Sequence, residues 1–162
     1  TNSAGWCLHL YDSDLCWVRG IRLTTNLMGP NNDGIDISGC QDVLVSDCDI
    51  SCCDDAICLK TFPDSRSLER VTVTNCVIRT RCAAFKTGEC YGPMRQITFS
   101  NSVVYESSRA IALYSRKGFA VEGTIIGDGR AWHQVRFNEF PSKAAFMAVV
   151  FDPDRLPLSG LG

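Results

Sequence analysis

The sequence predicts an all-β chain folded as a parallel β-helix, a solenoid of about five coils. Three observations predict it. Short runs alternate apolar and polar residues, as in Val43-Leu44-Val45-Ser46, Val71-Thr72-Val73-Thr74 and Ile97-Thr98-Phe99-Ser100, the pattern of strands with one buried face. Helical periodicity is scarce. The runs also recur in two columns that keep one irregular period.

The first column aligns Leu8-His9-Leu10, Ile35-Asp36-Ile37, Ile57-Cys58-Leu59, Ala83-Ala84-Phe85 and Ile111-Ala112-Leu113, whose third residues lie 27, 22, 26 and 28 apart. The second aligns Val18, Val45, Val73 and Phe99, at intervals of 27, 28 and 26. Each of these is followed by a second pair, Ile21/Leu23, Cys48/Ile50, Cys76/Ile78 and Ser102/Val104. Such a period with several short strands and no helix is one coil of a β-helix. The leucines of a leucine-rich repeat are absent. Coils stack at about 4.8 Å, so Leu10, Ile37, Leu59, Phe85 and Leu113 are expected to stack inward. Gly20, Asp47, Asn75 and Asn101 form one turn column, where Asn side chains bond to neighbouring turns. The coils are expected over residues 1–126. Residues 127–162 read as a frayed segment, with Ala144 to Phe151 as a partial cap and Pro153 and Pro157 in a loose tail.

Composition bounds the function. The chain has 162 residues, one domain's worth, and a formal net charge of −2. That charge gives no reason to expect a nucleic acid or an anionic membrane as partner. No apolar run approaches the roughly 20 residues that span a bilayer. The sequence begins at Thr1, not Met, with no basic-then-apolar stretch, and a processed product or fragment is expected. Ten cysteines leave three readings: disulfides, buried small apolar residues, or zinc. Zinc is disfavoured, because there is no CxxC pair and only His9 and His133 add imidazoles. Cys48 and Cys76 fall in an inward column and are expected as free, stacked thiols.

The outward positions gather charge. Asp36, Cys58, Ala84 and Ala112 are followed outward by Ser38, Lys60, Lys86 and Tyr114. The turn before each strand reads Asp33, Asp55, Arg81, Arg109, with Asp54 preceding Asp55 and Asn31 and Asn32 preceding Asp33. Carboxylates this close raise one another's pKa, which suits an acid–base pair. Lys60, Lys86, Arg81 and Arg109 are the sort of groups that pair with an acidic sugar. A stack of solvated turn residues fits the same spacing.

The stretch Asn31-Asn32-Asp33-Gly34-Ile35-Asp36-Ile37, followed by Cys53-Asp54-Asp55-Ala56-Ile57-Cys58-Leu59-Lys60, resembles the polygalacturonase family of glycoside hydrolases. There an N-T-D-G motif lies one coil before a D-D motif on a right-handed parallel β-helix. The resemblance covers about residues 6 to 126. It implies inverting hydrolysis of a pectic chain without a cofactor or metal. By the family's pattern Asp54 is the general acid, and Asp33 and Asp55 hold and deprotonate the water. Asn31, Lys60, Arg81, Lys86, Arg109 and Tyr114 are the expected substrate-binding residues. The chain departs from the pattern at two places. The family's G-H-G falls on Thr80-Arg81-Cys82 and its R-I-K on Ala112-Leu113-Tyr114. A divergent member acting on a pectic or other uronic-acid-containing polysaccharide is therefore expected, secreted or periplasmic, and a monomer. Two other readings stay open. One is a non-catalytic, carbohydrate-binding β-helix. The other is a lyase using Ca²⁺ held by Asp33, Asp36, Asp54 and Asp55.

Overall fold

The computed structural model describes residues 3–114 together with the backbone of 121–122, 125–126 and 136–138. Every strand pairing is parallel. The strands are β1 (Leu8–Tyr11), β2 (Asp14–Arg19), β3 (Arg22–Thr24), β4 (Ile35–Ser38), β5 (Gln41–Ser46), β6 (Asp49–Cys52), β7 (Ile57–Thr61), β8 (Leu68–Thr74), β9 (Val77–Thr80), β10 (Ala83–Cys90), β11 (Met94–Ser100), β12 (Val103–Val104), β13 (Arg109–Tyr114), β14 (Val121–Glu122), β15 (Ile125–Ile126) and β16 (Arg136–Asn138). They form three sheets. The first runs β1-β4-β7-β10-β13-β16, the second β2-β5-β8-β11-β14 with β15 also on β11, and the third β3-β6-β9-β12. Each coil thus contributes one strand to each sheet. Four coils are complete among the described residues, against the five expected, and β13 begins the next. Residues 127–135 and 139–162, including the expected cap at Ala144 to Phe151, lie outside the described residues.

Apolar residues build this shape because the coil interior takes every second side chain of each strand. Val18, Val45, Val73 and Phe99 are register partners in the second sheet, as the period predicts. So are Leu23, Ile50, Ile78 and Val104 in the third. Ile35, Ile37, Ile57, Leu59, Phe85 and Leu113 are fully or almost fully buried, each worth about 1.5–3 kcal/mol of transfer free energy. Cys48 and Cys76 are buried, unbridged and on adjacent coils. Their thiols donate to the carbonyls of Ser46 (3.1 Å) and Thr74 (3.3 Å).

The first sheet departs from the expected register at one place. Leu10, Ile37 and Leu59 do stack, but Thr87 comes next, followed by Leu113. Phe85 sits instead over Ile57 and under Ile111. The reason is that a two-residue slip leaves every side chain on its own face. Burial satisfies either alignment, and Phe85 gains a near-parallel contact with Phe99, ring centroids 4.9 Å apart. Outside the coil the slip moves Lys86, which lies over Cys58 rather than Lys60.

Candidate active site

The outward face of the first sheet is covered where an ordinary solenoid face would be wet. All four residues of β4 and all five of β7 are buried. Two features bring the coils together here. Gly34 packs against the next coil, where a Cβ would overlap the Ala56 carbonyl, and that Cβ would also lie 2.9 Å from Ile50 of its own coil. That close approach sets Asp33 beside Asp55. Asn32 then clamps the turn. Its Oδ1 accepts from Thr25 Oγ1 (3.0 Å) and the Cys53 N–H (2.9 Å), and its Nδ2 donates to the Asn26 carbonyl (2.8 Å). Asn31, the expected binding residue, is exposed with φ 53°.

Three carboxylates meet at this point. Asp33 and Asp55 are buried, and an oxygen of each lies within 4.8 Å of the other and of the Cys58 sulfur. Asp54, half-buried, brings an oxygen within 4.8 Å of Asp55 and of the Cys82 sulfur. Its Oδ1 accepts from the Asp55 N–H (2.9 Å) and its carbonyl from Thr80 Oγ1. Asp55 Oδ1 accepts from the Ala83 N–H (3.2 Å).

The cations divide unequally. Lys60 Nζ stands 2.5 Å from Asp36 Oδ1, 3.5 Å from Asp33 Oδ2 and 3.3 Å from the centroid of the Trp6 ring. Lys86 Nζ stands 2.5 Å from Asp55 Oδ2 and 5.5 Å from the Tyr114 ring. Arg109 Nη1 reaches the Tyr114 hydroxyl (3.4 Å), and Nη2 reaches the Cys82 sulfur (3.0 Å). Arg81 does not share Asp55's column. Ala83 occupies that place, and Arg81 is exposed with Nη1 3.1 Å from Met28 Sδ. The two-residue slip of β10 causes this, and Lys86 rather than Arg81 meets Asp55.

Burial dominates the electrostatics. Asp36 is fully buried, and neither carboxylate oxygen accepts a well-directed hydrogen bond. Burial pushes its pKa up to about 7, against the pull of Lys60 and helped by Asp33. Asp33 is raised by burial, opposed by Lys60 and assisted by Asp54 and Asp55. Burial also lifts the Cys58 thiol well above its usual value.

Two groups of residues, Asp33 with Asp55 and Cys58, and Asp54 with Asp55 and Cys82, have the spacing of metal ligands. A Ca²⁺ shared by Asp33 and Asp36 would have to displace the Lys60 ammonium that lies against both. Cys58, Cys82, Asn32, Trp6 and His9 were not singled out as site residues by the motif. Their signal was faint: Cys58 and His9 stand at outward positions of apolar strands.

No protein-family model matches this chain, and no curated protein matches it. Among solved structures, it is similar to a hyperthermoactive exopolygalacturonase from Thermotoga maritima, at 26% identity and a TM-score of 0.69. The match covers 75% of this chain and 29% of the enzyme, so the chain spans less than a third of that enzyme's length. The fold is therefore that of a polygalacturonase-like parallel β-helix, a glycoside hydrolase architecture.

Proposed function

We propose that the chain carries the catalytic groove of an inverting glycoside hydrolase acting on a pectic or other uronic-acid-containing polysaccharide. One observation carries this reading: Asp33, Asp54 and Asp55, from adjacent coils, converge with oxygens within 4.8 Å of Asp55. Asp54, the half-exposed member, protonates the leaving glycosidic oxygen. A water on the opposite face of the sugar attacks the anomeric carbon as that bond breaks. Two oxygens within 4.8 Å are bridged by one water making two hydrogen bonds of about 2.8 Å, which suits Asp33 and Asp55. Acid and base of an inverting pair stand about 6.5–9.5 Å apart. Asp54 and Asp55 have oxygens closer than that, so in this reading Asp33 serves as base and Asp55 orients the water. The raised pKa of Asp33 makes it a stronger base. Lys86, a quarter exposed and beside Tyr114, is placed to meet a uronate on the later coils. A monomer, secreted or periplasmic, belongs to the same proposal.

The second reading is a non-catalytic carbohydrate-binding β-helix. It is favoured by the two lysines that already neutralise Asp33, Asp36 and Asp55. The full-length protein separates the two. Asp54→Asn should lower reducing-sugar release from a panel of pectic substrates by about 10²–10⁴-fold, while oligosaccharide affinity stays within threefold. The first product should carry the inverted anomeric configuration by proton NMR. Unchanged turnover in the variant, or none in the wild type, would put the binding reading ahead. An unsaturated, ultraviolet-absorbing product would mean a lyase instead.

A further inference from the structure

We propose that the part of the groove lying over the first described coil is a sugar subsite taking an uncharged pyranose, stacked on Trp6 and Tyr11. The proposal rests on the hydrolase reading and adds a substrate preference at one place in the same groove.

The site is continuous with the carboxylates. His9 is the register partner of Asp36, and Tyr11 that of Ser38, so both stand on the outward face that carries the groove. Trp6 lies just before β1, and its ring takes the Lys60 ammonium that also touches Asp33. Phe62, just after β7, completes the row. Its ring is near-parallel to Trp6 (18°, centroids 6.5 Å apart) and to Tyr11 (28°, 6.4 Å). Trp6 and Tyr11 remain 38% and 41% exposed, whereas the aromatic rings of the core are sealed. Exposed rings beside a catalytic cluster are what a sugar's C–H face stacks upon.

The rings are also held. Trp6 has Lys60 over one face and His9 edge-on at 5.0 Å and 85°. His9 in turn shares a hydrogen bond with Ser38 Oγ (2.9 Å). A platform fixed before the ligand arrives loses less entropy on binding.

Charge selects the ligand. Lys60 and Lys86 are both paired with carboxylates at 2.5 Å, but Lys60 is almost wholly buried, where a uronate does not reach it, while Lys86 is a quarter exposed. Burial and Lys60 push the His9 pKa down, leaving a neutral imidazole at pH 7. The rim beyond is acidic. Partial burial and the carboxylates of Asp64 and Asp12 push the Tyr11 hydroxyl up. Asp12 is faced by Arg66 at 4.0 Å, and Arg66 is committed to Asp14 at 2.9 Å. Carboxylates at the rim accept hydrogen bonds from sugar hydroxyls and repel a second carboxylate. The groove is therefore polarised along these coils. The side at Trp6 offers ring faces and acceptors, and the side at Lys86 offers a quarter-exposed ammonium.

Binding to the full-length Asp54→Asn protein, which needs no turnover, tests this by calorimetry. The probes are tetragalacturonate, its full methyl ester, which replaces each charge by an ester methyl, and galactotetraose, which carries neither. At least one uncharged probe should bind. Adding Trp6→Ala should weaken it at least fivefold, and weaken tetragalacturonate less. Tyr11→Ala should act in the same direction, and Trp6→Phe should restore most of the affinity. Tyr11→Ala, at an exposed side chain, carries the test should Trp6→Ala fail to fold. Binding of neither uncharged probe, a loss under fivefold in a folded Trp6→Ala protein, or an equal loss for tetragalacturonate would each overturn the subsite. The hydrolase reading fails separately: wild type that releases no reducing sugar leaves these affinities readable.

Discussion

Asp36 is the residue at which burial and charge oppose each other most directly. It points outward from β4, yet it is fully buried, and Lys60 at 2.5 Å is its counter-charge. Its folded pKa of about 7 lies above the ordinary carboxylate value, with burial as the first cause. The folded protein therefore holds a proton that the unfolded chain releases. Stability from this group is complete below about pH 4 and is lost as pH rises toward 7, by at most about 1.4 kcal/mol per pH unit. Asp33, also raised, shares in this titration. Asp36→Asn should flatten the fall in unfolding free energy between pH 4 and 7, leaving Asp33 to face Lys60. Urea titrations at pH 4.5, 5.5, 6.5 and 7.5 measure it. A variant slope equal to wild type would mean that Asp36 titrates normally. The sequence showed Asp36 as an outward acid beside a motif. It did not show that Lys60 would lie against it with the Trp6 ring on the ammonium, because both come from neighbouring coils.

At the scale of the element, each coil turns on residues with positive φ. The predicted column holds: Gly20 (66°), Asp47 (57°), Asn75 (56°) and Asn101 (48°) are all left-handed. Their types announced it, since Gly, Asn and Asp adopt that region most readily. The expected ladder is present in part, with Asn75 Nδ2 donating to Asp47 Oδ1 at 2.5 Å. A second column was not legible. Leu15 (54°), Asp42 (57°), Arg70 (53°) and Gln96 (55°) kink β2, β5, β8 and β11 at matching places. Leu, Arg and Gln carry no local signal for such backbone. The stacked coil above and below imposes it. The announced column gives a graded prediction. Asn75→Gly loses the amide bond but keeps the conformation, whereas Asn75→Val also forces a β-branched residue to positive φ, at roughly 1–2 kcal/mol. Urea midpoints should rank wild type above Gly and Gly above Val, with about 1 kcal/mol between the two variants. A Val variant as stable as Gly would show that the turn relaxes out of the left-handed region.

For the whole molecule, stacking decides which side chains meet solvent. Cys40, Cys48, Cys52, Cys58, Cys76 and Cys90 are buried, while Cys7, Cys16, Cys53 and Cys82 are half-buried. Burial also raises the Cys58 thiol, which removes reactive thiolate. Alkylation of the native protein, followed residue by residue by mass spectrometry, should label the half-buried four first and the six only on unfolding. A Cys48–Cys76 crosslink, or Cys58 reacting as fast as Cys53, would contradict the packing described.

The sequence by itself determined the parallel coil, the second inner column, the first apart from Phe85, the turn column and the approach of Asp33 and of Asp54 to Asp55. The coil, the columns and the turns depend on demands repeated once per coil, an apolar side chain inward and a residue tolerant of positive φ at the turn. The carboxylates depend on one outward place kept by two neighbouring coils, Asp33 and Asp55. A period read along the chain carries such demands directly. Only the tertiary structure decided which lysine serves which carboxylate, and that Trp6 and Phe62 line one wall. A two-residue slip of β10 satisfies the hydrophobic pattern equally well, since it keeps inward residues inward, yet it exchanges Arg81 for Lys86 at Asp55. Contacts across the outward face depend on side-chain reach between coils. No period along the chain encodes that reach.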